Sequence, residues 1–122
     1  MKIAVVKYNA GNIYSVNYAL KRLGVEATIT SDKEVLMSAD KVIFPGVGEA
    51  ETTMSHLRKN RLDEVIKNLK QPVLGICLGM QLLFEKSYEY GEHGGLGFVK
   101  GEVCPLEPDL KDKTLKVPQI GW

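Results

Sequence analysis

The sequence predicts an α/β fold, a mostly parallel sheet with helices on both faces, and three observations predict it. Short apolar runs rich in β-branched residues recur along the chain: "KIAVVKY" (2–8), "EATIT" (26–30), "KVIFP" (41–45) and "PVLGI" (72–76). Each has the length of a buried strand. Between them lie segments whose apolar residues fall at helical spacing, and strand and helix alternate at the distances a parallel sheet needs for its crossovers. The 122 residues are enough for one domain or for part of a larger one.

The elements follow in order. "KIAVVKY" is the first strand, and "NAGN" (9–12) turns the chain, with Gly11 free to take positive φ. Ile13, Val16, Leu20 and Leu23 mark a helix that Gly24 can end. "EATIT" alternates like a strand, and Ser31 or Asp32 can cap a short helix over "KEVLMSA" (33–39). "KVIFP" runs straight into "GVG" (46–48). In "AETTMSHLRKNRLDEVIKNLK" (50–70), Met54, Leu57, Leu62, Val65, Ile66 and Leu69 describe two short helices or one bent helix, ended at Gln71-Pro72. "PVLGI" is the fourth strand, and "LGMQLLFEKS" (78–87) the helix after it. "SYEYGEHGGLGF" (87–98), with Gly91, Gly94, Gly95 and Gly97, reads as a mobile loop. "FVKGEVCPLEPDLKDKTLKVPQIGW" (98–122) reads as two strands joined by a Pro- and Lys-rich turn. With no internal repeat and no boundary signal, residues 1–122 are expected to form a single domain, or part of one.

Composition narrows the function. At 44% hydrophobic and 25% charged, the chain is that of an ordinary globular protein. A formal net charge of +1 gives no support for a nucleic-acid or membrane-surface partner. No apolar run approaches the roughly 20 residues that span a bilayer, and "MKIAVVKYNAGN" lacks the apolar core and cleavage site of a signal peptide. Cys77 and Cys104 have no metal-ligand spacing, so neither metal nor cofactor is expected, and a reducing, cytosolic setting fits best.

In parallel α/β sheets, sites form beyond the carboxyl ends of the strands. Three loops there contain glycine: Asn9–Asn12, Gly46–Gly48 and the turn at Cys77. In "VLGICLGMQLLF" (73–84), Cys77 stands between Gly75 and Gly79 where a strand gives way to a helix. A buried structural cysteine would fit the apolar flanks. A nucleophile elbow also fits, because small residues two places before and after the nucleophile let strand and helix approach closely. The start of a helix offers unpaired N–H groups and a field that favours thiolate. The Leu78 N–H can then face a developing oxyanion. A second donor has to come from another loop, and "PGVG" (45–48), through Val47, is the candidate. Gln81 lies one turn after Cys77 on the same helical face and interrupts an apolar run, which favours ligand contact. Asn12 reads as a helix N-cap, and Cys104, beside Pro105, as structural. "GEHGGLG" (91–97) does not lie between a strand and a helix, so it is not a phosphate loop.

"PGVGEA" (45–50) with "GICLGMQLLF" (75–84) resembles the class I glutamine amidotransferases. "YNAGNIYSVNYALKRLG" (8–24), "GGLGFVKGEV" (94–103) and "KVPQIGW" (116–122) resemble the glutaminase subunits of imidazole glycerol phosphate synthases within that class. The resemblance implies a flavodoxin-like amidotransferase domain truncated at its C-terminus. It implies glutamine hydrolysis by a Cys-His-Glu triad, with ammonia passing to a separate (β/α)8-barrel cyclase subunit, the heterodimer partner. It makes Cys77 the nucleophile and Gly46, Val47 and Gly48 the oxyanion strand. Gln81 and Glu89 hold the α-carboxylate and α-amine of glutamine, Asn12 lies in a loop facing the cyclase, and Trp122 lies near the interface that ammonia crosses. Lys7 stands where many members have Asp, and Gln119 where many have His. The family's His-x-Glu falls downstream of Trp122. His56, in a charged helical segment, and His93, in the glycine loop, have no carboxylate placed to orient them, so this chain alone is expected to be nearly or wholly inactive. A neighbouring cysteine-elbow enzyme, such as another class I amidotransferase, and a non-catalytic α/β binding module are the competing readings.

Overall fold

The computed structural model describes residues 1–9 and 12–118. Four strands, β1 (Ile3–Val6), β2 (Ala27–Thr30), β3 (Lys41–Gly46) and β4 (Val73–Cys77), form a wholly parallel sheet in the order β2-β1-β3-β4. The chain moves outward from β1 to β2, then crosses back over β1 to β3. The strand order therefore reverses between β1 and β3, and the carboxyl ends there define the crevice where α/β sheets bind ligands.

Alternate residues of each strand face opposite sides, and both sides are apolar. On one, Val5 and Ile43 pack with Ile13, Val16 and Leu20 of α1 (Ile13–Arg22). On the other, Ala4, Val6, Val42 and Phe44 pack under α2 (Lys33–Ser38), α3 (Ala50–Lys59), α4 (Leu62–Lys67) and α5 (Leu78–Leu82). The expected helices on both faces are therefore present. Met54 and Leu57 of α3 and Leu62, Val65 and Ile66 of α4 all reach this core. The break between them is at Arg61, whose φ of 58° no α-helix can continue. Asp32 caps α2 by accepting from the Val35 N–H at 3.0 Å. Asp32→Ala is expected to lower stability by about 1 kcal/mol in a urea titration, and an unchanged midpoint would show that the cap carries nothing.

Three expectations for the second half are corrected. The helix after Cys77 ends at Leu82, not near residue 87. The N–H groups of Leu96, Val99 and Gly97 take up the carbonyls of Leu82, Leu83 and Phe84, so the chain beyond has no need of further helical turns. By the same bonds, much of the glycine-rich segment is tied down. Lys86–Ser87 (β5) pairs antiparallel with His93–Gly94 (β6) and parallel with Glu102–Val103 (β7) in a second small sheet. Finally, the tail does not form two strands within the described residues: β7 is followed by a short 3₁₀ turn, Glu107–Asp109.

Among the described residues β4 is an edge strand, and Leu74, opposite Ile43 in register, is 57% exposed because α1 does not extend over it. A parallel sheet with an open, partly apolar edge tends to pair with another chain. The 122-residue polypeptide is therefore expected to self-associate in sedimentation velocity, and Leu74→Lys to shift it towards monomer. A monomer at every concentration tested would contradict this.

Candidate active site

The site is built where β4 meets α5. Cys77 closes β4 and immediately precedes α5, with φ 53° and ψ −123°. This left-handed backbone is unfavourable for a residue with a side chain, typically by about 1–3 kcal/mol, and persists only where its surroundings impose it. Those surroundings are glycines. A Cβ at Gly75 would sit 2.6 Å from the Met80 Cα, and one at Gly79 would collide with the Phe44 carbonyl. Strand and helix thus approach more closely than any side chain permits, and the chain between them has to bend sharply. The bend carries the Cys77 side chain out of the core: it is a free thiol and exposed. The reading of Cys77 as an apolar packing residue does not describe this structure.

Beside it runs the end of β3. Gly46 lies opposite Cys77 in the ladder, and a Cβ on Gly46 would come within 2.7 Å of the Gly79 N and 2.5 Å of the Tyr8 hydroxyl. The backbone then leaves the sheet through exposed Val47 and through Gly48 at φ 104°. Two stretches of main chain therefore flank Cys77. Leu78 and Gly79 open α5, where N–H groups have no partner within the helix; Val47 and Gly48 belong to the turn after β3. An arrangement of this kind can hold a carbonyl against a sulfur nucleophile and meet the negative charge that develops on its oxygen.

The remaining residues singled out from sequence fall at different distances from this point in the fold. Gln81 is half-buried on α5, one turn beyond Cys77. Glu89 is half-buried after β5, a strand that adjoins α5, and its N–H donates to the Ser87 hydroxyl at 3.3 Å. Asn12 occupies the N-cap position of α1, but its side chain makes no capping bond, so the capping role expected of it is absent. His56 lines a groove of about 430 Å³ with Lys7, Tyr8, Asn9, Ser31 and Asn60, and its carbonyl accepts from the Asn60 side chain. His93 is held in β6, and its Nε2 is buried without a hydrogen-bond partner among the described residues. Neither histidine bonds to Cys77. Cys104 is also a free, exposed thiol and fills no core position, contrary to the structural role expected of it. Gln119 and Trp122 lie outside the described residues.

One residue of the site was not read from sequence. Tyr8, just beyond β1, is 8% exposed, stacks on Phe44 at 5.5 Å between ring centroids, and donates its hydroxyl to the Pro45 carbonyl. Its signal in the sequence is a lone hydroxylated aromatic ending an apolar strand, next to a glycine turn.

Comparison with known proteins gives consistent relatives. Residues 4–117 match the glutamine amidotransferase class-I family. The chain is 64% identical over 122 residues to the imidazole glycerol phosphate synthase subunit HisH of Bacteroides thetaiotaomicron, covering 100% of this chain and 61% of that one. It is 45% identical over 124 residues to the protein of the same name from Bacillus subtilis, covering 98% and 58%. It thus spans about three fifths of the length of these curated relatives. Among solved structures, a glutamine amidotransferase superposes with a TM-score of 0.70 at 27% identity, covering 84% of this chain and 55% of that one.

Proposed function

The chain belongs to the class I glutamine amidotransferase family, and from that premise we propose that it is the nucleophile-bearing part of a glutaminase subunit of an imidazole glycerol phosphate synthase, acting in histidine biosynthesis. The observation that carries the reading is the exposed Cys77 thiol at positive φ, set between the start of α5 and the turn after β3.

In this reading the Cys77 sulfur attacks the side-chain amide carbon of glutamine. The carbonyl oxygen becomes an oxyanion that accepts from the N–H groups of Leu78 and Val47, with Gly46 and Gly48 keeping that approach free of side chains. The C–N bond then breaks, ammonia leaves with a proton, and a γ-glutamyl thioester remains on Cys77. Water hydrolyses it to glutamate and restores the thiol. Gln81 and Glu89 hold the α-carboxylate and α-amine of the substrate. The base that takes the thiol proton is a His oriented by a Glu, supplied by the part of the subunit beyond residue 122. Residues 1–122 thus form one domain with that part, and without it they are inactive, since a nucleophile stripped of its base keeps little beyond binding and oxyanion contributions.

Ammonia passes to a (β/α)8-barrel cyclase subunit, on whose side Asn12 lies. Among the described residues no helix is long and apolar enough to cross a membrane, and two free thiols suit a reducing cytosol. The test mixes the complete subunit with its cyclase partner and follows glutamate released from glutamine. Stoichiometric glutamate and ammonia are expected. No release from the complex, while the cyclase still runs on added ammonium, would overturn the reading.

A further inference from the structure

We propose that Tyr8 is a positioning residue for the oxyanion turn: its hydroxyl, bonded to the Pro45 carbonyl, fixes the peptide that leads into Gly46–Gly48 and so aims that turn's N–H groups at the space beside Cys77. The inference rests on the glutaminase reading and goes beyond it to a residue that does not touch the substrate.

The ladder shows why such a tie is needed. Pairing between β1 and β3 ends at Val5 opposite Ile43, whereas β3 continues for three more residues, to Gly46. On its other side β3 stays paired with β4 to the end, Gly46 opposite Cys77. The last residues of β3 therefore lack a strand on the β1 side, and proline at 45 removes a backbone donor as well. Tyr8, from the chain just past β1, takes up the Pro45 carbonyl with its side chain in place of the missing strand. The same hydroxyl stands 2.5 Å from where a Gly46 Cβ would be, and the Gly79 N lies 2.7 Å from that point. Tyr8, the oxyanion turn and the first turn of α5 thus converge on one glycine. Burial raises the phenol well above its usual pKa, so the hydroxyl remains a donor throughout the working pH range. The ring is fixed separately, against Phe44, so hydroxyl and ring can be tested apart.

The experiment uses the complete subunit assembled with its cyclase partner and the variant Tyr8→Phe, which keeps the ring and deletes the hydrogen bond. Because the oxyanion is absent from the bound amide and develops only as the amide is attacked, misaimed donors lower kcat and leave KM for glutamine unchanged. A fall in kcat of about tenfold is expected, less than the loss of an oxyanion donor itself. The iodoacetamide alkylation rate of Cys77 should stay at the wild-type value, since the elbow is untouched. Leu36→Ala, at the buried position of α2 and outside the turn, controls for stability: it should lower the melting temperature and leave kcat in place. A Tyr8→Phe kcat within twofold of wild type, or a fall matched by Leu36→Ala, overturns the role of Tyr8 alone. A wild-type complex that releases no glutamate overturns the glutaminase reading with it.

Discussion

Cys77→Ala in the complete subunit, assayed with its cyclase partner, is expected to lower glutamine hydrolysis by about 10⁴-fold or more, the scale on which enzymes lose rate when the covalent nucleophile is deleted. Ammonium-dependent cyclase turnover should be unaffected, because it does not use the thiol. The fold should also survive. Cys77 is exposed, so its truncation opens no cavity. The backbone at φ 53° adds a second signature. Alanine keeps the strain of that conformation, whereas glycine does not, so Cys77→Gly is expected to be inactive yet about 1 kcal/mol more stable than Cys77→Ala. A Cys77→Ala enzyme with wild-type glutaminase rates would remove the residue from the chemistry.

The largest effect on stability is expected from Gly79→Ala. The added methyl lands on the Phe44 carbonyl, a backbone atom of a central strand packed on both faces, which cannot move aside. Helix α5 has to lift from β3 and β4, and with it go the contacts of Leu78 and Leu82 in the core. Overpacking of a rigid site typically costs about 1–3 kcal/mol, and here the upper end or more is expected, a fall of roughly 10 °C in Tm. Gly48→Ala is the contrast. Gly48 has φ 104° but no atom within 4 Å of a Cβ, so only conformational strain of about 1 kcal/mol is added. Similar melting temperatures for the two variants would mean that close approach does not hold the elbow in place.

The parallel sheet was legible because its signals are local. β1, β2, β3 and β4 are short apolar runs bounded by glycine, proline or polar turns; β1 and β2 lie within their expected segments, and β3 and β4 each run one residue past theirs. The elbow was legible for a related reason: Gly75 and Gly79 bracket Cys77 at a spacing that only a tight strand–helix junction requires. What failed was set by contacts distant in sequence. The run from Leu78 to Ser87 has ordinary helical composition, and it stops at Leu82 because donors at Leu96, Gly97 and Val99 reach its carbonyls from more than a dozen residues away. Four glycines suggested a mobile loop, but Gly95 is needed where a Cβ would strike the Phe84 carbonyl, in a segment bonded on both sides. Tyr8 went unread because its partner, the Pro45 carbonyl, is 37 positions away.

Both cysteines are free and exposed, so accessibility alone does not distinguish them. The most direct measurement therefore treats the complete subunit, bound to its partner, with a glutamine-like electrophile and maps the adduct by mass spectrometry, with and without glutamine present. Labelling confined to Cys77, and suppressed by glutamine, is the expected result. Equal labelling of Cys77 and Cys104 that glutamine does not slow would contradict the claim that this bend presents a nucleophile to a bound amide.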